Sequence, residues 1–503
     1  MRKYIRRVAR FLAGTSRATI DTIEPGSIAV APRRPIDRFD VAAITEVLDL
    51  ATKIGAVLLD SGTGAIDTTA QIRFVANVYG LEDVGVDVTF NTIVVSARRG
   101  ATLPPITTME TVHYRSLDFT QLAAVDRLIR RIRDSALTPS SAHRMIDEII
   151  AAPHPYPGWV ASCAWGLMAA GVVVFLGGGW LVAPLAFVTT AVTVTFNRFL
   201  DRIGTPVFFQ QVTGGFIAVV PAALVSEGSE KIGLDLAPAQ VIAAGIVVLL
   251  SGLSLVGSVQ DAITGAPITG VARFFELLLM TGGIIAGVGM AIRLLEGVGV
   301  YLPTITTSTQ FVAVTASVRV GAGAVAAFAF ALASYAERRA LPVAFLGGAI
   351  GVGVCALGTY LSVGDVISAG VAAACVGLVG GLLARRALTP PLVVAVAGIT
   401  PLLPGLAVYR GLYGILSDQT LEGFTWVASA IAVGCALAAG VTLGEFVART
   451  LRRPQLPSAP TWARRLSAHP HRKPPVSGDR NRRTARRNRT YGTESNKQDG
   501  PTR

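Results

Sequence analysis

Asp261, Arg273, Glu276 and Arg319 interrupt stretches of this chain that are otherwise almost wholly apolar. An ionised side chain at the centre of a membrane helix costs roughly 2.5–3.5 kcal/mol on insertion scales, so such charges either serve a purpose or escape to the surface. A carboxyl group in low dielectric keeps its proton more readily and can carry it, which makes Asp261 and Glu276 candidate proton-coupling acids. Arg273 lies three residues before Glu276 on the same helix face, and snorkelling to the near surface is its bland alternative. Arg319 falls about nine residues into its apolar stretch, where that escape is longer. A buried ion pair, with Glu276 for instance, or a contact with a solute's carboxylate is expected of it. Gln260 and Asn197 are polar candidates for lining a path, and Glu445 sits near the end of the last apolar stretch.

Other chemistries fare less well. Asp60-Ser61-Gly62-Thr63 matches the signature of aspartic proteases, which need two such loops facing each other, and this chain has one copy. The same residues read as a turn that ends one helix, with Gly62 as C-cap and Ser61 or Thr63 capping the next. Cys163, Cys355, Cys375 and Cys435 fall in apolar runs without metal-ligand spacing, so neither a metal site nor a cofactor motif is expected.

These side chains need elements to hold them. The 503 residues are 51% hydrophobic and only 15% charged, with a mean hydropathy of +0.54. Average globular chains carry about 25% charged residues, so an integral membrane protein is the leading class. Ten apolar stretches are long enough to cross a hydrocarbon core, at 158–178, 180–197, 206–225, 237–257, 271–292, 310–333, 341–361, 366–384, 391–409 and 424–447. Before them, residues 40–155 have the pattern of a small soluble α/β domain. Helices are expected from Asp40 as cap, over Ala65–Val78, near Asp118–Asp134 and over Pro139–Ile150, with a hairpin of Val84–Phe90 and Thr92–Ala97 about Asn91. Residues 1–39 form a basic N-terminal segment.

The net charge of +13 invites a nucleic-acid partner until it is located. Residues 449–503 hold 15 Lys and Arg against 3 acids, and the rest is near neutral. This tail, rich in Arg and Pro, cannot bury enough apolar surface to fold. It reads as a disordered cytoplasmic anchor able to meet anionic lipid headgroups, and nucleic-acid binding is not expected because no aromatic platform accompanies it. With the N-terminal region inside, the inner loops collect Arg198, Arg202, Arg273, Arg338, Arg339, Arg385 and Arg386, against Lys231, Arg293 and Arg410 outside. Ten spans then leave both termini in the cytoplasm.

An internal echo points to two halves, 156–305 and 306–448. Leu249–Leu253 reads LLSGL in the fourth span and Leu402–Leu406 reads LLPGL in the ninth. With five spans per half, the two copies run in opposite directions, as in an inverted repeat. The Ser251–Gly252 and Pro404–Gly405 steps would weaken both spans and free backbone groups for a polar solute.

The block VVLLSGLSLVGSVQDAITGAPITGVARFFELLLMTGGIIAGVGMAI at 247–292, with ITPLLPGLAVYRGLYGIL at 399–416, resembles the two membrane halves of the threonine/serine exporter family. GAVLLDSGTGAIDTTAQIRFVANVYGL at 55–81 and TFNTIVVSAR are similar to that family's N-terminal region, so the likeness runs from about 40 to 447. Many relatives have Pro-Gly where this chain has Ser251–Gly252. The resemblance implies a secondary transporter in the plasma membrane that exports L-threonine and L-serine at the expense of the proton motive force, by alternating access. Export of another small metabolite such as a dicarboxylate, or a membrane-bound hydrolase built on the N-terminal region, are the rivals. A homo-oligomer is left open. Deleting residues 454–503 should leave transport unchanged; a truncated protein that reaches the membrane in normal amount yet fails to transport would contradict the anchor reading.

Overall fold

Asp40 opens the first helix of the computed structural model, which describes residues 36–37, 39–100, 103–112, 117–134, 137–178, 182–232, 242, 245–246, 248–249, 252–299, 316–387, 390–416 and 419–452 apart from residue 38 and a few side chains. The basic N-terminal segment up to residue 35, Ser251, about half of the expected fourth span and the tail beyond Arg452 lie outside the described residues.

The Asp40 carboxylate accepts from the Ala43 amide at 3.0 Å and starts α1, Val41–Asp60. Ile44, Val47, Leu48, Ala51, Ile54 and Leu58 recur at helical spacing and are buried together. At its end the Thr63 amide bonds Leu58 O and the Gly62 amide bonds Leu59 O, with Gly62 at φ +89°. That is a Schellman stop, which needs a left-handed residue and has glycine there. Helix α2, Ala65–Val78, follows and ends before Gly80, also left-handed.

Strands β1 (Val84–Thr89) and β2 (Thr92–Ala97) pair antiparallel across Phe90 and Asn91, Phe90 having φ +52°. A third strand, β3 (Ile106–Thr111), joins β2 with Thr92 opposite Thr111, an element the sequence did not announce. Helices α3 (Phe119–Asp134) and α4 (Pro139–Ala151) complete this layer.

The membrane helices follow: α5 (Gly158–Phe175), α6 (Val182–Arg202), α7 (Val207–Ile232), α8 (Gly252–Thr264), α9 (Pro267–Gly297), α10 (Ala316–Ala333), α11 (Leu341–Tyr360), α12 (Asp365–Ala387), α13 (Pro391–Ile399), α14 (Gly405–Leu416) and α15 (Thr420–Arg452). Among the described residues seven helices are long and apolar enough to cross a membrane. The pair Pro391–Leu402 and Gly405–Gly411, bent by 47° at the Leu-Pro-Gly step, has the form of a broken span or a re-entrant loop, and counts as an eighth crossing if it is one span. Ten stretches were expected; of α7, the described side chains cover the apolar part Val207–Pro221, and those of the rest of that helix lie outside the description. On α9, Val271, Phe275 and Leu279 recur every fourth residue and are 68%, 60% and 47% exposed, a face suited to lipid.

The two groups of helices pack by matching rules. Helix α5 lies on α6 as α10 lies on α11, α7 on α9 as α12 on α15, and α8 on α9 as α14 on α15. Across the middle α5 meets α10, while α8 packs on α15 and α14 on α9. Small residues bring the backbones together, as is usual where lipid offers no hydrophobic drive. A Cβ at Gly287 would fall on the Val212 carbonyl of α7.

The N-terminal layer is fastened at two places. Ala65, at the start of α2, donates its amide to Asp261 Oδ1 of α8 at 3.1 Å, and Phe90 N donates to Thr269 Oγ1 of α9 at 3.0 Å. At the other place Phe119 N donates to Ser334 O at 3.0 Å, Arg127 pairs with Glu337 at 2.7 Å, and the His154 ring stacks on Tyr335 at 4.2 Å. The cap of α2 therefore comes from Asp261, and its own N-cap position, Gly64, offers no side chain. Neither Ser61 nor Thr63 serves in that role, contrary to the sequence expectation. One hydrophobic cluster runs from Ile44 and Ile72 through Phe119 to Met168, Phe330 and Val393, so the layer and the bundle share a core.

Gly287→Leu should cost at least ~1–3 kcal/mol by overpacking, seen as lost monodisperse protein in detergent, whereas Gly282→Leu, which faces open space, should behave as wild type. Replacing Asp261 should lower the thermal midpoint more for Asp261→Ala than for Asp261→Asn, because asparagine keeps the cap of α2, about 1 kcal/mol; equal losses would remove the capping role.

Candidate functional site

Asp261 lies four residues before Gly265, whose φ of +114° lets the chain reverse out of α8. Its own carbonyl accepts from the Gly265 and Ala266 amides at 3.2 and 2.8 Å, so the residue ends one helix while its side chain caps another. Pro267 then starts α9, where its missing N–H costs nothing, and Arg273 follows in the second turn. Gly270 lets α9 approach α8, since a Cβ there would stand 2.6 Å from Ser258 O. The reversal brings Arg273 Nη1 onto Asp261 Oδ2 in a salt bridge whose side chains are 7% and 1% exposed.

Each member of this pair has a partner for its charge. Asp261 Oδ1 meets the N-terminus of α2, where the unsatisfied amides carry partial positive charge, and Oδ2 meets the guanidinium. Arg273 uses only Nη1 on Asp261. Its Nε and Nη2 are buried without a hydrogen-bond partner. Those two atoms form the edge that grips a carboxylate through two parallel bonds.

Both residues line a cavity of about 140 Å³. Its walls come from three parts of the chain: Thr63 before α2 with Asp67 and Gln71 on it, Gln260 of α8 with the Asp261–Arg273 pair, and Pro391 of α13 with Glu445 of α15. Thr63 Oγ1 and Gln71 Oε1 are also buried without partners. Asp126 of α3, which is ion-paired with Arg130, also lines this space. The arrangement suits a small solute bearing a carboxylate, a cation and a further polar group. No group of His, Cys, Asp and Glu able to hold a metal occurs among the described residues.

The sequence-derived candidates are thus divided. Asp261, Arg273 and Gln260 come together. Glu276 stays on α9 but is exposed beside Phe275, outside the cavity. Arg319 was expected near the bilayer middle; it stands in the first turn of α10, exposed, with Nε 3.4 Å from Phe175 O and its guanidinium over the Phe175 ring. From there to Ser334, where the N-terminal layer docks, is about 22 Å at 1.5 Å per residue, so Arg319 belongs to the far end of the bundle. Asn197 faces Gly214 across the α6–α7 contact, its Oδ1 buried and without a partner. Gly252 begins α8, while Pro404 and Gly405 are buried at the 47° bend. Ser251 lies outside the described residues. Thr63, Asp67 and Gln71 were missed, because nothing in their spacing signals a contact with residues some 200 positions away.

Comparison with known proteins adds a second line of observation. Residues 49–295 match the family model described as "Putative threonine/serine exporter", and residues 320–447 match "Threonine/Serine exporter, ThrE". The chain is 44% identical over 443 residues to the threonine/serine exporter of Corynebacterium glutamicum, spanning 88% of this chain and 90% of the relative. It is 38% identical over 441 residues to the probable threonine/serine exporter of Mycobacterium tuberculosis, spanning 85% of this chain and 81% of that one. No solved structure matches. On identity of this depth over nearly all of both chains, this multi-pass membrane protein belongs to the threonine/serine exporter family, a family of transporters rather than enzymes.

Proposed function

We propose that this chain exports small hydroxylated amino acids, L-threonine and L-serine, across the plasma membrane, with both termini and the N-terminal layer in the cytoplasm. The substrate class follows from the relatives' names and their extensive identity. The observation that carries transport is the buried Asp261–Arg273 pair, set where both halves of the bundle and the start of α2 meet around one cavity. Ten spans in two inverted halves are the layout this reading assumes, and the matching contacts of α8 with α15 and α14 with α9 support it. Alternating access would then be a rocking of one half on the other about the bent Pro404–Gly405 span.

Export runs on the proton motive force in this reading, and Asp261 is the favoured coupling acid. It is buried, whereas Glu276 is exposed and Arg319 lies at the far end of the bundle. The relatives' names favour hydroxylated amino acids over a dicarboxylate. The hydrolase alternative loses its motif, since Asp60 closes a helix whose turn makes a Schellman stop.

The test is transport in vesicles containing the full chain. An imposed pH gradient should drive threonine and serine, and leave succinate and lysine behind. Asp261→Asn should lose gradient-driven accumulation while exchange of labelled threonine for unlabelled threonine persists. Accumulation at the wild-type level by Asp261→Asn would remove that residue from coupling, and equal movement of succinate would overturn the substrate class.

A further inference from the structure

Four polar atoms around the cavity beneath α2 have no hydrogen-bond partner although each is buried: Arg273 Nε, Arg273 Nη2, Thr63 Oγ1 and Gln71 Oε1. Buried donors and acceptors are nearly always paired, so four on the walls of one small space are unusual. Their chemistry is complementary in kind. Two parallel N–H donors on a guanidinium edge ask for a carboxylate. A hydroxyl and an amide oxygen ask for a group that both donates and accepts, which is what an alcohol does. Asp67 and Glu445, which also line it, supply negative potential for an ammonium group.

We propose that this cavity is the loading site for the transported amino acid. The Nε–Nη2 edge of Arg273 holds the α-carboxylate, the acidic walls face the α-ammonium, and Thr63 with Gln71 read the side-chain hydroxyl. The proposal rests on the transport reading above and adds to it the site and the groups that select for a hydroxylated side chain. Arg273 is suited to this because Asp261 occupies Nη1 alone, which fixes the plane of the guanidinium and leaves the two-donor edge open. A dedicated hydroxyl contact also accounts for selectivity in a way an apolar pocket cannot. A site with buried polar groups made for a hydroxyl rejects an analogue that lacks it, whereas an apolar pocket barely distinguishes the two. Two of the four atoms belong to the N-terminal layer, so that layer forms part of the substrate site in this proposal.

The experiment uses the full chain in nanodiscs, with the four native cysteines replaced by alanine and a reporter thiol introduced as Ala70→Cys, on the wall of the cavity. The rate of maleimide labelling is measured against increasing L-threonine. Threonine should slow labelling several-fold, and L-threonine amide, which lacks the carboxylate, should not. In Arg273→Lys, which keeps a cation beside Asp261 but loses the two-donor edge, protection should need at least about tenfold more threonine. Thr63→Val should narrow the preference for threonine over L-2-aminobutyrate, which lacks the hydroxyl, without changing protection by 2-aminobutyrate. Equal protection by the amide, unchanged protection in Arg273→Lys, or no protection in a protein that transports threonine in vesicles would each overturn the site. If Arg273→Lys does not fold, the amide comparison in the Ala70→Cys protein decides alone. Absence of both protection and threonine transport would instead bring down the transport reading itself.

Discussion

A carboxylate removed from water must be compensated on every side, and Asp261 is about as deeply removed as a side chain can be. Its compensation comes from two directions, a guanidinium on α9 and the amide end of α2. Each partner imposes a condition on the fold. Arg273 can reach it only if α8 reverses tightly into α9, which Gly265 and Pro267 allow and Gly270 completes by close approach. The end of α2 can reach it only if α1 stops sharply, which Gly62 secures. The cavity is what remains between these enforced approaches, and its polarity follows from which atoms the compensation leaves over.

The N-terminal layer is consequently more than an appended domain. It shares a core with α5, α10 and α13, and its hydrogen bonds fall on the turn between α8 and α9 and on the turn between α10 and α11. Those turns belong to different halves. A layer fastened to both is a strap across them, and the proposed rocking would strain or release one fastening. The first, made by a charged cap and one side-chain hydroxyl, is small in area. The second includes aromatic stacking of His154 on Tyr335, an edge contact of Phe119 with Phe330 and the Arg127–Glu337 pair. On these contacts the fastening at Asp261 is the one more easily released.

Much of this was legible in the sequence wherever one element carries its own signal. Asp40 as cap, the ends of α2 at Ala65 and Val78, the starts of α3 and α4, and the break at Pro404–Gly405 follow from capping, periodicity and the missing proline donor. Strand β3 escaped because Thr107, Thr108, Glu110 and Thr111 bury no alternating apolar face; its place is fixed by pairing with β2. Hydropathy places Arg319 within an apolar run but does not show its neighbours, which are Phe175 O and the Phe175 ring at the end of α5. The cap of α2 could not be read at all, since Gly64 shows only that no local cap exists. Side chains supplied from a distant helix leave no periodic trace.

The same reasoning explains why the cavity lies at the junction of layer and bundle and not in the packed middle of the helices. The helix contacts are built on glycine and alanine, as where Gly440 and Gly444 of α15 meet the α12 backbone, and such contacts leave no room for a solute. The cavity beneath α2 opens beside the long polar side chain of Arg273, where α8, α9 and α2 come together. In the proposed loading, a solute would meet α8 and α9 through Gln260 and Arg273, α13 and α15 through Pro391 and Glu445, and the layer through Thr63 and Gln71. Binding at that point bears on all three bodies at once, and this is the physical requirement for a ligand to shift their arrangement: it must interact differently with each of their relative positions.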